Sequence, residues 1–203
     1  MKYTTIIFDL GKVIFDYSWA PAYDYFSKLS NLPAAEVKKR LAVDQDPSFK
    51  DFERGIIAPQ EYIDHVSNLL ETSLTLPQFF DGWNSIYGEV YEGIEEILAS
   101  LELKHLLVAL TNTNPVHAEV WRERYAEQLV YFSYIFCSHE MRSRKPEPAI
   151  YEQVLRSTGS RPNETIFFDD RKDNVEAART LGIEAFRVTL PAEIQTVIEA
   201  LAL

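Results

Sequence analysis

Carboxylates at Asp9, Asp169 and Asp170, a lysine at Lys145 and a hydroxyl–amide pair at Thr111 and Asn112 are the residues of this chain whose types and settings suit chemistry. Asp9 closes the apolar run Ile6–Phe8 and is followed two positions on by Gly11. A carboxylate there is a nucleophile, a metal ligand or a cap on the following turn. Asp169 and Asp170 close the run TIFF (165–168), where adjacent carboxylates repel unless a cation stands between them. Their alternative role is to cap the helix that NVEAARTLG begins. Thr111 and Asn112 close LLVAL (106–110), as anion-cradling groups or as an ordinary polar strand end. Lys145 stands in the polar stretch RSRKPEPAIY and, taken alone, is a surface lysine.

These residues need strands that end together. Short continuous apolar runs of this kind predict buried parallel strands, and open α/β sheets gather their chemistry beyond the carboxyl ends of such strands. Between Tyr17 and about residue 90 the pattern is helical. Helices are expected over Trp19–Leu29, from Pro33 through Val37 and Leu41, from Pro59 and from Pro77, with a stop at Gly55. The aromatics of this stretch are read as the core of a small bundle, except Trp19, which is expected near the site. From Tyr91 onward helix and strand alternate, which predicts right-handed crossovers and a parallel sheet. Strands are expected at 106–110, 131–137, 165–168 and 184–188, with helices over 116–125, 148–157, 174–181 and 191–201. Short hinges are expected near Tyr17 and Glu89.

Carboxylate, hydroxyl, lysine and carboxylate pair, in that order, resemble the motifs of the haloacid dehalogenase superfamily, and they frame nearly the whole chain. The resemblance implies an α/β fold: a Rossmann-like parallel-sheet core, residues 1–16 and 91–203, with an inserted small all-α cap of the C1 type, residues 17–90. It implies a Mg²⁺-dependent phosphatase in which Asp9 is the nucleophile. Asp9, Asp170 and the Gly11 carbonyl would hold the ion, with Asp169 assisting. Hard oxygen ligands suit Mg²⁺. Lys145 would reach both Asp9 and the phosphoryl group, and Gly11, Thr111 and Asn112 would complete the phosphate cradle. Arg142, Arg144, Lys145, Arg171 and Lys172 then concentrate the positive charge of an acidic chain in two loops beside that site, a field that draws an anionic substrate.

One position departs from the pattern. Phosphatases of this superfamily usually carry a second aspartate, a general acid and base, where this chain has Gly11. FDLGKVIFD, LTNTNPVH, RKPEPAIYEQVL, FFDDRKDNVEAA and FERGIIAPQEYI are similar to the bacterial α-D-glucose-1-phosphate phosphatases, which share the glycine. An anomeric hydroxyl is more acidic than an ordinary alcohol, so it leaves with less protonation. The backbone at Gly11 is expected to accept a side chain. Two alternatives remain: carbon–halogen or carbon–phosphorus cleavage by a haloacid dehalogenase or phosphonate hydrolase, and a catalytically silent binding protein of the same fold.

Composition narrows the partners. A formal charge of −11 with no basic stripe argues against nucleic acid, leaving a small-molecule phosphate ester as the expected partner. The single cysteine, Cys137, has no internal partner and is expected as a buried small hydrophobe, which suits a reducing, cytoplasmic setting. No signal peptide and no membrane span are expected. The four histidines, 65, 105, 117 and 139, lack metal-ligand spacing and are expected to be structural or on the surface. The sequence assigns no oligomeric state.

Overall fold

The computed structural model describes residues 2–203. The chain begins with β1 (Thr5–Phe8) and the short β2 (Phe15–Tyr17), and then runs through five helices: α1 (Ala20–Ser30), α2 (Ala34–Leu41), α3 (Pro47–Glu53), α4 (Pro59–Leu69) and α5 (Leu76–Asn84). After β3 (Tyr87–Val90) come α6 (Ile94–Glu102), β4 (Leu106–Thr111), α7 (Pro115–Arg124), α8 (Ala126–Leu129), β5 (Tyr134–Cys137) and α9 (Ser138–Met141). The chain closes with α10 (Pro148–Thr158), β6 (Thr165–Asp169), α11 (Lys172–Thr180), β7 (Glu184–Arg187) and α12 (Pro191–Leu201).

Five strands form one parallel sheet in the order β5-β4-β1-β6-β7. Both faces are covered, which is why the strand sequences are continuous apolar runs rather than alternating ones. Ile6, Phe8, Leu107, Ala109, Ile166 and Phe168 point into one core with residues of α6, α7 and α12. Ile7, Val108, Leu110, Phe167 and Ala185 point into the other, with residues of α10 and α11. Phe8 pairs in register with Ala109 on one side and Phe168 on the other. The three central strands therefore end at one level, bringing Asp9, Thr111 and Asp169 to a single edge.

The stretch from 17 to 90 departs from expectation in two ways. It holds a fifth helix, α3, that the hydrophobic spacing did not reveal; Asp46 starts it by accepting from Ser48 N at 3.0 Å and Phe49 N at 3.2 Å, with Pro47 in the first turn. Seven residues carry too little periodicity to be read as amphipathic. At the expected hinges the chain instead forms an antiparallel ribbon, with Phe15 opposite Val90 and Tyr17 opposite Tyr87. The Phe15 ring stacks on Tyr125 with centroids 3.8 Å apart. The helices share a core of their own around Phe26, Phe52, Tyr62, Phe79 and Trp83, all essentially buried. Val116 of α7 joins that cluster, so the helical layer packs on the sheet layer there.

Candidate active site

Asp9 sits at the end of β1 with one carboxylate oxygen fully used. Its Oδ1 accepts from Leu10 N at 2.8 Å and pairs with Lys145 Nζ at 2.9 Å. Oδ2 receives no hydrogen bond from the described residues and is the oxygen left for chemistry. Lys145 is buried, and its three N–H bonds all go to protein oxygens: Asp9, Asp169 Oδ2 at 2.8 Å and the Leu110 carbonyl at 2.7 Å. Burial alone would lower the Lys145 pKa, but Asp169 and Asp9 outweigh it and hold the ammonium charged.

Asp169 is more committed than a metal ligand would be. Beside Lys145 it accepts from Asn174 Nδ2 at 2.9 and 3.1 Å and from Arg171 N at 2.9 Å, with no exposed surface. Asn174 was not singled out in the sequence; its signal is its place in the first turn of the helix after the aspartate pair. Asn112 likewise holds Lys145, with Lys145 N donating to Oδ1 at 2.8 Å and Nδ2 donating to the Lys145 carbonyl at 2.9 Å. Its amide oxygen and one amide N–H are thereby committed to the Lys145 peptide, while Asn112 still lines the cavity.

Oxygens of Asp9, Asp169 and Asp170 lie within 4.8 Å of one another. One lysine faces these three carboxylates. Burial is the first cause and the two neighbouring aspartates add to it, pushing the Asp9 carboxyl up to about 7 against the opposing pull of Lys145. Burial and then Asp169 also raise Asp170. A hard divalent cation among the carboxylates would remove that repulsion, so the donor set fits Mg²⁺. The Asp9 and Asp170 carboxylates are the groups open to it, and Asp169 fits better as the group that anchors Lys145.

A cavity of about 110 Å³ opens at these residues, lined by Asp9, Gly11, Thr111 and Asp170 from the sheet edge and the loops beside it, and by Tyr17, Trp19, Phe49 and Glu53 from the stretch 17–90. Trp19 is half-buried and does two things: it lines the cavity and it packs against Trp83, with centroids 4.9 Å apart. Glu53 comes from α3 and is buried; its Oε2 accepts from Arg144 Nε at 2.7 Å. Burial raises its pKa against the pull of Arg144. Nothing in the sequence around Glu53 marked it. Two further pairs join the same layers: Arg54 Nε to Glu147 at 2.8 Å, and Arg171 to Asp44 at 3.0 Å. Of the five basic residues expected at the site, Lys145, Arg144 and Arg171 line the cavity. Arg142 is instead exposed and donates to the Gly55 carbonyl, and Lys172 is exposed and pairs with Glu176 at 3.4 Å.

Gly11 meets the expectation in its backbone but not in the space around it. Its backbone is not in the left-handed region, so its conformation would suit a side chain, but the space is taken. A Cβ there would stand 2.8 Å from Tyr17 Cε1 and 3.0 Å from Cδ1. The loop folds Tyr17 back over Gly11: Lys12 adopts φ 64°, Lys12 N donates to the Phe15 carbonyl at 2.7 Å and Ile14 N to the Leu10 carbonyl at 2.7 Å. Burial first, then the charges of Asp170 and Asp9, push the Tyr17 phenol well above its ordinary pKa.

The histidines are structural where they are buried. His117 Nε2 bonds the Trp83 carbonyl at 3.0 Å and Nδ1 meets Asn114 Nδ2 at 3.1 Å, so the proton is on Nε2. Cys137 is buried. Among the described residues no helix is long and apolar enough to cross a membrane.

A haloacid dehalogenase-like hydrolase family model matches residues 6–188. The D-ribitol-5-phosphate phosphatase of Bacteroides thetaiotaomicron is 26% identical over 188 residues, covering 90% of each chain. A HAD family enzyme of the same organism, solved with magnesium and inorganic phosphate, superposes with a TM-score of 0.78 at 27% identity over 91% of this chain and 93% of that one. A HAD-like hydrolase from Porphyromonas gingivalis shares the fold, with a TM-score of 0.83 at 24% identity over 97% and 98% of the two chains.

Proposed function

The chain belongs to the haloacid dehalogenase-like hydrolase family, and on that premise we propose that it hydrolyses a small sugar or polyol phosphate by way of an aspartyl-phosphate on Asp9. It is a phosphatase, and Mg²⁺ is its cofactor. The observation that carries the reading is Asp9 itself: one oxygen fixed by Lys145 and Leu10, the other open toward the cavity and beside Asp170.

Bound at the Asp9 carboxylate, Asp170 and the Gly11 carbonyl, Mg²⁺ would supply positive charge to a phosphoryl group and its attacking oxygen. The remaining work belongs to the chain. Asp9 attacks phosphorus to form an acyl phosphate, which water then hydrolyses, dividing one difficult displacement into two. Lys145 opposes protonation of Asp9 and orients it, and lends its charge to the phosphoryl group across the site rather than through a free N–H. Thr111, at the end of β4, offers its hydroxyl to the phosphoryl oxygens from the cavity wall. The helical layer formed by residues 17–90 acts as the cap, and its Trp19, Phe49 and Glu53 meet the part of the substrate beyond phosphorus.

Glucose 1-phosphate is the member of this class that the motif resemblance favours. The cavity supports a small ester: an aromatic wall suits a sugar ring face, and the Glu53 carboxylate suits hydroxyls. Dehalogenation is disfavoured, because it gives no use to a cluster of three carboxylates facing one lysine. The test is phosphate release from a panel of hexose 1-phosphates, hexose 6-phosphates and pentitol 5-phosphates, with Mg²⁺ and with EDTA. Metal-dependent release led by glucose 1-phosphate is expected; a lead by 5- or 6-phosphates would remove that substrate while keeping the class. No release from any ester would end the phosphatase reading.

A further inference from the structure

Resting on the phosphatase reading above, we propose that Tyr17 is a catalytic residue: its hydroxyl donates a hydrogen bond to the ester oxygen as that oxygen leaves phosphorus. Displacement at phosphorus is in line, so the leaving oxygen lies on the side of the phosphoryl group opposite Asp9 Oδ2. Asp9 ends β1 at the sheet edge, and Tyr17 lines the same cavity from the β2–β3 ribbon. The Tyr17 ring lies against Gly11, two residues from Asp9, with ring carbons 2.8 and 3.0 Å from where a Cβ at position 11 would stand. A carboxylate carried at position 11 would occupy that same space, so the ring holds the ground from which a side chain there would act.

The placement is built, not incidental. Tyr17 is fixed by the β2–β3 ribbon opposite Tyr87, and the Leu10–Phe15 turn returns the chain over the site. Its ring is half-buried at the cavity wall, and no described residue hydrogen-bonds its hydroxyl, in contrast to Tyr125 and Tyr151, whose hydroxyls reach the Gly88 and Asn174 carbonyls. A phenol is a neutral donor at neutral pH. In the step itself Asp9 Oδ2 forms its bond to phosphorus and the bond from phosphorus to the ester oxygen breaks, its electron pair staying on that oxygen. The tyrosine hydrogen bond stabilises the developing charge, and water delivers the proton with which the alcohol departs.

The test compares an ester that needs this help with one that does not. Wild type and Tyr17→Phe are assayed on a hexose 6-phosphate, whose alkoxide leaves poorly, and on 4-nitrophenyl phosphate, whose phenolate leaves well. Removing one preorganised donor costs about 10²-fold where charge develops, so kcat/KM should fall at least about tenfold more on the hexose 6-phosphate. Equal losses on the two esters, or no loss on either, would overturn the proposal. A second pair of variants keeps the question open to refutation if Tyr17→Phe is poorly folded. Gly11→Asp with Tyr17→Ala should exceed Tyr17→Ala alone on the hexose 6-phosphate and by less on the nitrophenyl ester. Gly11→Asp alone, with the ring in its way, should gain nothing. Indistinguishable activities of the double variant and Tyr17→Ala would refute the shared position. Wild-type inactivity on both esters and on glucose 1-phosphate would instead remove the phosphatase reading, and this proposal with it.

Discussion

Asn112 grips the Lys145 peptide from both sides, its Oδ1 accepting from Lys145 N at 2.8 Å and its Nδ2 donating to Lys145 O at 2.9 Å. The pair fixes where the Lys145 stem starts, and so where its ammonium meets Asp9. Asn112→Asp keeps the acceptor but sets a carboxylate against the Lys145 carbonyl. A misplacement of the order of 1 Å can cost about 10²-fold in rate, so kcat should fall by roughly 10- to 100-fold with KM much less affected. Steady-state phosphate release checks this; a change confined to KM would place Asn112 in substrate binding instead.

Asp169 and Asp170 are neighbours with different duties, and their variants should separate. Asp169→Ala strips a buried lysine of one of its two carboxylates, and breaking a buried pair costs about 3–5 kcal/mol. A large loss in Tm is expected, with activity lost alongside. Asp170→Ala touches a partly exposed group and should leave Tm nearly in place while raising the Mg²⁺ concentration for half-maximal rate. Thermal melts and Mg²⁺ titrations of the two variants decide it, and overlaying titrations for Asp170→Ala and wild type would exclude Asp170 as a ligand.

Glu53 and Arg144 pair across the two layers at 2.7 Å with little exposure on either side chain. Arg144→Ala leaves Glu53 buried without its cation and should destabilise by about 3 kcal/mol or more. Glu53→Gln keeps the volume and a hydrogen-bond acceptor, so its stability should change far less. Its effect should fall on substrate ranking, raising KM for hydroxyl-rich esters above that for 4-nitrophenyl phosphate. The KM ratio of the two esters in Glu53→Gln is the measurement, and an unchanged ratio would assign Glu53 to interlayer packing alone.

His117 makes acid stability readable. Burial holds its folded pKa at about 4 against an ordinary value of 6.5. Between those values the unfolded chain binds the extra proton, so stability rises with pH across that window. The contribution is complete above about pH 6.5 and is lost as the pH falls toward 4, amounting to about 3 kcal/mol at 1.36 kcal/mol per pKa unit. Tm of wild type should therefore drop between pH 6.5 and 4.5, and His117→Gln should show a flatter profile from a lower start. Parallel profiles would mean that other groups carry the acid sensitivity.

Much of the site was legible in order along the chain. Asp9, Thr111 and Asp169 each end a run of apolar residues, and such runs are strands buried on both faces, so their last residues meet at one edge wherever the strands are neighbours. The helical character of 17–90 and the alternation after Tyr91 were legible because period and β-rich composition are local properties. The short helix α3 was not, since seven residues hold too little periodicity, and with it went the position of Glu53.

What the sequence by itself determined is the set of groups and the strand ends that carry them: a carboxylate, a hydroxyl, a lysine and a carboxylate pair on a parallel sheet. Only the tertiary structure decided how those groups divide the work. Lys145 spends all its donors on Asp9, Asp169 and Leu110, and Asn112 commits its amide oxygen and one N–H to the Lys145 peptide. The Tyr17 ring fills the space that Gly11 leaves open. The reason is physical: periodicity and residue type report what a segment buries, whereas a hydrogen bond across 33 residues or a ring folded back over a glycine depends on three-dimensional distance, to which local sequence is blind.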